Sequence, residues 1–108
     1  MPTYVSLLNW TEQGIKTFPN TIKRAEDFSR LVKKAGGTVR ELLWTVGGEY
    51  DAVIVAEFAS DETAVAALLQ LASAGNVRFH TLRAFNAADM AAVLQLTAGV
   101  RQEHGSMG

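Results

Sequence analysis

The chain has 108 residues, of which 48% are apolar and 19% charged, and its formal net charge is -1. This length supports one hydrophobic core, and the composition is that of a globular domain rather than a disordered segment. A net charge this close to zero creates no field that would recruit nucleic acid or an anionic membrane surface. Because the chain contains no cysteine, disulfides, thiolate chemistry and cysteine metal sites are excluded.

The first half of the chain predicts a strand, a helix and a hairpin. Residues 3–10 (TYVSLLNW) are rich in β-branched and aromatic residues and predict the first strand. Apolar residues then recur at helical spacing from Ile15 to Ala35, with Pro19 near the start of the helix and two glycines after its end. Residues 38–46 and 51–58 both resemble strands, and the four residues between them allow only an antiparallel hairpin.

The second half of the chain predicts a helix, a strand and a further helix. Ser60 is a favourable N-cap for a helix that ends at Gly75. Residues 77–85 alternate as a fourth strand, and Met90 to Leu96 follow as an additional C-terminal helix. Residues 99–108 carry no pattern. We therefore predict one domain over residues 1–98, followed by a disordered tail over residues 99–108.

This order of elements is typical of an α+β fold of the ferredoxin-like β-α-β-β-α-β kind, with two helices on one face of an antiparallel sheet. The strands are apolar on both faces, however, since Val5 and Leu7 alternate with Leu8 and Trp10. Two helices cover about one face of such a sheet, so the second face predicts self-association, sheet against sheet. The C-terminal helix is the alternative cover for part of that face.

Seven segments of the chain resemble the GYD-domain family of small, mostly bacterial proteins of unknown function. They are residues 9–11 (NWT), 13–15 (QGI), 36–37 (GG), 45–51 (TVGGEYD), 59–62 (ASDE), 75–78 (GNVR) and 81–85 (TLRAF). The resemblance covers residues 3–97 and implies a ferredoxin-like fold related to the dimeric α/β-barrel proteins. The family has no agreed catalytic residues to transfer. The chain departs from the family pattern at Phe79-His80 and at Trp44.

Two side chains are candidate catalytic acids or bases. Asp51 follows the hairpin and acts either as a base or ligand anchor beside the donor Tyr50, or as a structural acceptor for loop N–H groups. The structural alternative expects positive φ at Gly47 and Gly48. His80 lies in the fourth strand, where it acts either as a proton-transfer residue or as an ordinary strand residue facing solvent.

The candidate ligand-binding residues are Tyr4, Trp10, Trp44, Tyr50 and Arg78. The aromatic members, together with Phe58, line an apolar pocket for a flat ligand or serve as core and interface residues. Arg78 either binds a carboxylate or pairs with Glu41 or Glu57 across the strands. His80 and His104 are the only histidines, which are too few for a histidine-rich metal site.

These patterns predict a soluble, cytoplasmic homo-oligomer, a homodimer or larger, that binds a small organic molecule in a cavity at the sheet face. We expect no metal and no cofactor, and neither nucleic acid nor a membrane as a partner. One alternative is a cofactor-independent enzyme of the dimeric α/β-barrel kind, acting on a small aromatic or polyketide-like substrate with His80 or Asp51 as acid and base. A second alternative is a protein-interaction module without a ligand.

Overall fold

The computed structural model describes residues 1–107, and the side chains of residues 1–100. Four strands and four α-helices follow one another along the chain. They are β1 (Thr3–Trp10), α1 (Glu12–Lys16), α2 (Thr21–Lys34), β2 (Thr38–Trp44), β3 (Ala52–Glu57), α3 (Asp61–Ser73), β4 (Val77–Ala84) and α4 (Ala87–Met107). A short 3-10 helix, Phe18–Asn20, separates α1 from α2.

The strands form one sheet in the order β2-β3-β1-β4, and every neighbouring pair is antiparallel. The two helical crossovers place α2 and α3 against the same face of this sheet. This is the ferredoxin-like α+β arrangement, and the additional C-terminal helix α4 is present. The predicted fold class is therefore confirmed.

The hydrophobic core lies between this sheet and the helices α2 and α3. Its buried members are Leu8, Ile54, Ala56 and Phe58 from the sheet side, Phe28 and Val32 from α2, and Ala64 and Ala67 from α3. The alternation of buried and partly exposed residues along β1 and β3 results from the two-residue period of a strand. Ser6, the buried polar residue among them, is satisfied by a 2.8 Å hydrogen bond with the Thr81 hydroxyl.

The segment after β1 is broken into two helices, where the sequence predicts one helix from Ile15. The Thr11 hydroxyl accepts a 3.0 Å hydrogen bond from the Gly14 N–H and so caps α1. At Thr17 the backbone leaves the helical region (φ -113°, ψ 29°). Pro19 has no N–H to continue the hydrogen-bond ladder of α1, and α2 begins at Thr21.

The β2–β3 connection is longer than predicted, because the strands end at Trp44 and begin again at Ala52. The Thr45 N–H donates to the Asp51 carbonyl oxygen at 2.9 Å and closes the loop. Gly47 has a φ of +87°, whereas Gly48 does not have a positive φ. The expectation of positive φ at both glycines is therefore wrong for Gly48, since one left-handed residue is sufficient to reverse a loop of this length.

The sheet face opposite α2 and α3 is uncovered, and we call it the open face. Its apolar residues are Val5, Leu7, Leu43, Val53, Val55 and Leu82, which adjoin one another across the four strands. Helix α4 does not cover them, because within the described part of the chain it makes few contacts with the sheet. Leu94, Leu96 and Val100 on α4 are themselves exposed.

Helix α4 also runs through most of the segment that the sequence predicts as a disordered tail. Residues 99–107 continue the helix, while Gly108 lies outside the described residues. The division into a domain over residues 1–98 and a tail stays a prediction. Among the described residues, no helix combines the length and the apolar character needed to cross a membrane.

Candidate functional site

The predicted site residues lie on two opposite faces of the sheet. Trp10 and Trp44 line a cavity on the face covered by α2 and α3. Arg78 and His80 lie on the open face, because they alternate with Val77 and Phe79, which face the helices. The structure therefore does not bring all the candidate residues into one site.

The cavity occupies about 410 Å³ between the sheet, helix α2 and the C-terminal end of α3. Its apolar walls are formed by Leu8, Leu42, Ile54 and Val77 from the sheet and by Phe28, Leu31 and Leu71 from the helices. In the sheet register, Ala52 lies between Trp44 and Leu8. Its small side chain leaves the space between these larger residues unfilled.

The two tryptophans border this cavity from the ends of their strands. Trp44 is 41% exposed at the end of β2, and its indole N–H donates a 2.9 Å hydrogen bond to the Thr21 hydroxyl. Since Thr21 is the first residue of α2, this bond ties the edge of the sheet to the helix. Trp10, at the end of β1, is half-buried. Both tryptophans line the cavity, and their role in binding a flat ligand stays a prediction.

Tyr4 lies on the same sheet face but not at the cavity. Its hydroxyl donates a hydrogen bond to the Asp61 carboxylate, and this bond raises the pKa of Tyr4 because it stabilises the neutral phenol. The Tyr4 ring packs edge-on against Phe58, with 5.7 Å between the ring centroids. In this structure Tyr4 is part of the core and of the contact to α3.

Asp51 connects the β2–β3 loop to the end of β1. Its carboxylate accepts hydrogen bonds from the Trp10 backbone N–H (2.9 Å) and from the Asn9 side chain (3.5 Å). Its own N–H donates to the Leu8 carbonyl oxygen at 2.8 Å. The sequence predicts, as the structural alternative, that this carboxylate accepts hydrogen bonds from N–H groups of its own loop. In the structure, the backbone N–H that it binds belongs to Trp10 of the neighbouring strand β1. The sequence could not indicate that donor, because the contact spans about forty residues of chain.

The Asp51→Ala variant tests this arrangement. We expect it to lower the free energy of unfolding by about 1–3 kcal/mol, because the Trp10 N–H loses a charged acceptor. Asp51→Asn keeps an oxygen acceptor and serves as the control, with a smaller loss. Urea denaturation followed by circular dichroism measures both. Equal stability of the alanine variant and the parent would contradict the structural role.

The open face carries a polar cluster at the end where β4 begins. The Tyr50 ring lies edge-on to the His80 ring, with 6.3 Å between the centroids. Arg78 is paired in register with Asn9, whose side-chain amide donates to the Glu49 carbonyl oxygen at 2.7 Å. Tyr50, Arg78 and His80 are thus neighbours, on the opposite side of the sheet from the cavity.

Arg78 does not pair with Glu41 or Glu57, so the predicted cross-strand ion pair is wrong. Glu41 lies on β2, at the opposite edge of the sheet from β4. Glu57 instead accepts hydrogen bonds from Arg40 at 2.9 and 3.0 Å, which lower the pKa of its carboxyl group. The strand order keeps Arg78 on β4 away from Glu41 on β2.

The segments that carry the family resemblance contact one another around the end of β1. The Asp51 segment binds Asn9 and Trp10, as described above. The Asn76 carbonyl oxygen accepts from the Thr11 N–H at 3.1 Å, and the Asn76 side chain accepts from Gln13 Nε2 at 3.0 Å. These contacts form the end wall of the cavity, where Trp10 and Asn76 both lie.

Comparison with known proteins agrees with the family resemblance of these segments. The family model of the GYD domain matches residues 4–94. The chain belongs to the GYD-domain family. A relative from Thermus thermophilus, named "Glutamine synthetase and cystathionine beta-lyase binding protein", is 33% identical over 95 residues, which cover 88% of this chain and 100% of the relative.

A solved structure, that of TTHA0845 from Thermus thermophilus, is also similar to this GYD-domain chain. The two are 24% identical with a TM-score of 0.49, and the match covers 81% of this chain and 96% of the other.

The cavity of this GYD-domain protein also includes residues that sequence reasoning did not single out. Arg24 and Thr21 from α2, Gln70 from α3, and Asn76 line it. The sequence feature that could have indicated the cavity is the presence of alanines among the larger apolar residues of the helices. Such small side chains leave space between the helices and the sheet. Among the described residues, no group of three histidine or acidic side chains is placed to hold a metal ion. The side chain of His104 lies outside the described residues.

Proposed function

We propose that this GYD-domain protein is a non-catalytic protein-binding module that works as a homodimer, with two copies paired through their open faces. The observation that carries the proposal is the uncovered apolar surface of the sheet. Leu43 and Leu82 are 52% and 54% exposed there, beside the partly exposed Val5, Val53 and Val55. A contiguous apolar surface of this kind is typical of an interaction site.

The charges at the two edges of the open face favour a second copy as the occupant. Glu41 lies exposed on β2 at one edge, and Arg78 lies exposed on β4 at the other. A two-fold interface has to be complementary to itself. Rotation about an axis parallel to the strands places β2 of one copy over β4 of the other, so that the acidic edge faces the basic edge.

The relative from Thermus thermophilus supports protein partners, because its name states that it binds two enzymes. The geometry gives less support to the enzyme alternative. Asp51 is occupied by hydrogen bonds to β1, and His80 lies on the opposite face of the sheet from the cavity. A cytoplasmic location is part of this proposal.

Sedimentation equilibrium over a dilution series tests the dimer. We expect Leu82→Glu to weaken dimerisation by at least about 100-fold, because a carboxylate would be buried without a partner. Val65→Glu is the matched control, since Val65 is 55% exposed on α3 and lies outside the open face. A parent protein that is monomeric throughout, or equal effects of the two variants, would contradict the proposal.

Charge reversal tests the orientation of the two copies. Arg78→Glu should weaken the dimer, and the double variant with Glu41→Arg should regain affinity, because the two edges then exchange their charges.

Surface plasmon resonance with purified glutamine synthetase and cystathionine beta-lyase of the source organism tests protein binding. We expect the parent dimer to bind at least one of them. A dimer that binds neither would refute the protein-binding role.

Small-molecule binding is the second candidate function, and the cavity supports it. Protein interiors are close-packed, and few of their voids exceed the size of a water molecule. A space of about 410 Å³ lies within the range of about 300–1,000 Å³ that is usual for ligand pockets.

A further inference from the structure

The cavity is open because small side chains occupy positions on three of its walls. Ala25 of α2, Ala52 of β3 and Ala74 at the end of α3 all line it. A larger apolar residue at any of these positions would fill part of the space. The surrounding residues are mainly aliphatic and aromatic, and such a surface offers water few hydrogen-bond partners. The site therefore favours an apolar occupant.

The charged side chains at the cavity already have protein partners. Arg24 donates from one terminal nitrogen to the Thr17 hydroxyl at 2.8 Å and from the other to the Gly14 carbonyl oxygen at 3.2 Å. Both carboxylate oxygens of Asp27 are bonded, one to Lys23 and one to Arg30. These bonds lower the pKa of Asp27, with the Lys23 bond as the main cause. Both side chains at the rim are thus hydrogen-bonded to protein atoms without a ligand.

The polar groups that remain at the cavity are neutral. The Trp44 indole N–H is donated to Thr21, and the Asn76 amide oxygen accepts from Gln13. Among the described residues that line the cavity, this leaves the Trp10 indole N–H, the Gln70 amide and the Asn76 amide NH2 group to bind a neutral ligand atom. Indole rings present flat faces, which favour stacking with other ring systems.

We propose that this cavity binds an uncharged, planar ring compound that carries a hydrogen-bond acceptor, such as a fused-ring aromatic ketone. The inference rests on the second candidate function and names its ligand class. A charged ligand would lose its hydration among walls that are mainly aliphatic and aromatic, and this loss is costly in an apolar site. A neutral carbonyl oxygen needs only a donor such as the Trp10 indole N–H.

The protein carries its own reporter for this test, because both of its tryptophans line the cavity. The neutral probe is Prodan, a naphthalene ketone whose absorption overlaps tryptophan emission. The full-length protein is titrated with Prodan, 2-naphthoate and 2-naphthylmethylammonium while tryptophan emission is recorded. We expect saturable quenching by Prodan, and at least about tenfold weaker binding of both charged analogues.

Filling variants locate the bound probe. Ala25→Phe and Ala74→Phe should reduce Prodan affinity at least about tenfold, since each removes cavity volume. Ala74 is exposed at the rim, so its substitution should preserve the fold, and thermal melting by circular dichroism checks this. Ala66→Phe on the exposed side of α3 is the matched control. Leu82→Glu, which changes the open face, should retain Prodan binding.

The results of these titrations distinguish an incorrect ligand class from an incorrect small-molecule function. If a charged analogue binds as tightly as Prodan and the filling variants abolish its binding, the proposed ligand class is wrong and the small-molecule function stands. If no probe changes tryptophan emission, or if folded filling variants bind Prodan like the parent, both are wrong.

Discussion

We expect the Gly14→Ala variant to lose about 3 kcal/mol of unfolding free energy. A methyl group at this position would lie 1.9 Å from the Asn76 carbonyl oxygen and 2.9 Å from its carbon. That carbonyl group cannot simply move away, because it accepts the Thr11 N–H at 3.1 Å. Relief of the clash would therefore separate α1 from the start of β4, and urea denaturation would measure the loss.

Gly48→Ala is the control for this prediction. Its added methyl group would meet no atom within 4 Å, and its φ is not positive. We expect the stability of this variant to stay within about 0.5 kcal/mol of the parent. If the two variants were equally stable, the close approach of Gly14 to Asn76 would be incorrect.

The Phe58→Ala variant should lose about 3–5 kcal/mol, because it removes a large core side chain and leaves a cavity that the fold cannot fully close. Phe58 is 1% exposed and packs against the Tyr4 ring. Its backbone N–H also holds the N-terminal segment, through a 2.9 Å hydrogen bond to the Pro2 carbonyl oxygen. Guanidinium denaturation measures the change.

Phe58→Leu is the comparison for this second variant. Since leucine keeps much of the buried apolar volume, we expect a loss below about 1.5 kcal/mol. A loss of less than about 1 kcal/mol in Phe58→Ala would show that Phe58 is not part of the packed core. Neither variant changes a residue that lines the cavity or the open face.

Local patterns were sufficient to predict most of the fold. The short β2–β3 connection allowed only antiparallel neighbours, and strand alternation placed Leu8 and Trp10 on one face of β1 and Val5 and Leu7 on the other. The break at Thr17 was missed, because the apolar spacing continues across it. The longer β2–β3 loop was missed because Val46 and Asp51 continue the strand patterns on either side.

The candidate site was less predictable, because it depends on which strands are neighbours. Trp10 and Trp44 are far apart in sequence and meet at one cavity only through the strand order β2-β3-β1-β4. The same order separates Arg78 from Glu41 by the width of the sheet. The cavity itself depends on how α2 and α3 lie over the sheet, which no local pattern specifies.

The sequence by itself determined the order of elements, the alternation of side chains between the two faces of each strand, and the presence of a second apolar face. These features follow from the period of side chains along a strand or helix, which is a local property. Only the tertiary structure decided that Asp51 binds the Trp10 N–H, that His80 and the cavity lie on opposite faces, and that α4 leaves the open face uncovered. Each of these depends on contacts between distant parts of the chain, where register and packing select the partner.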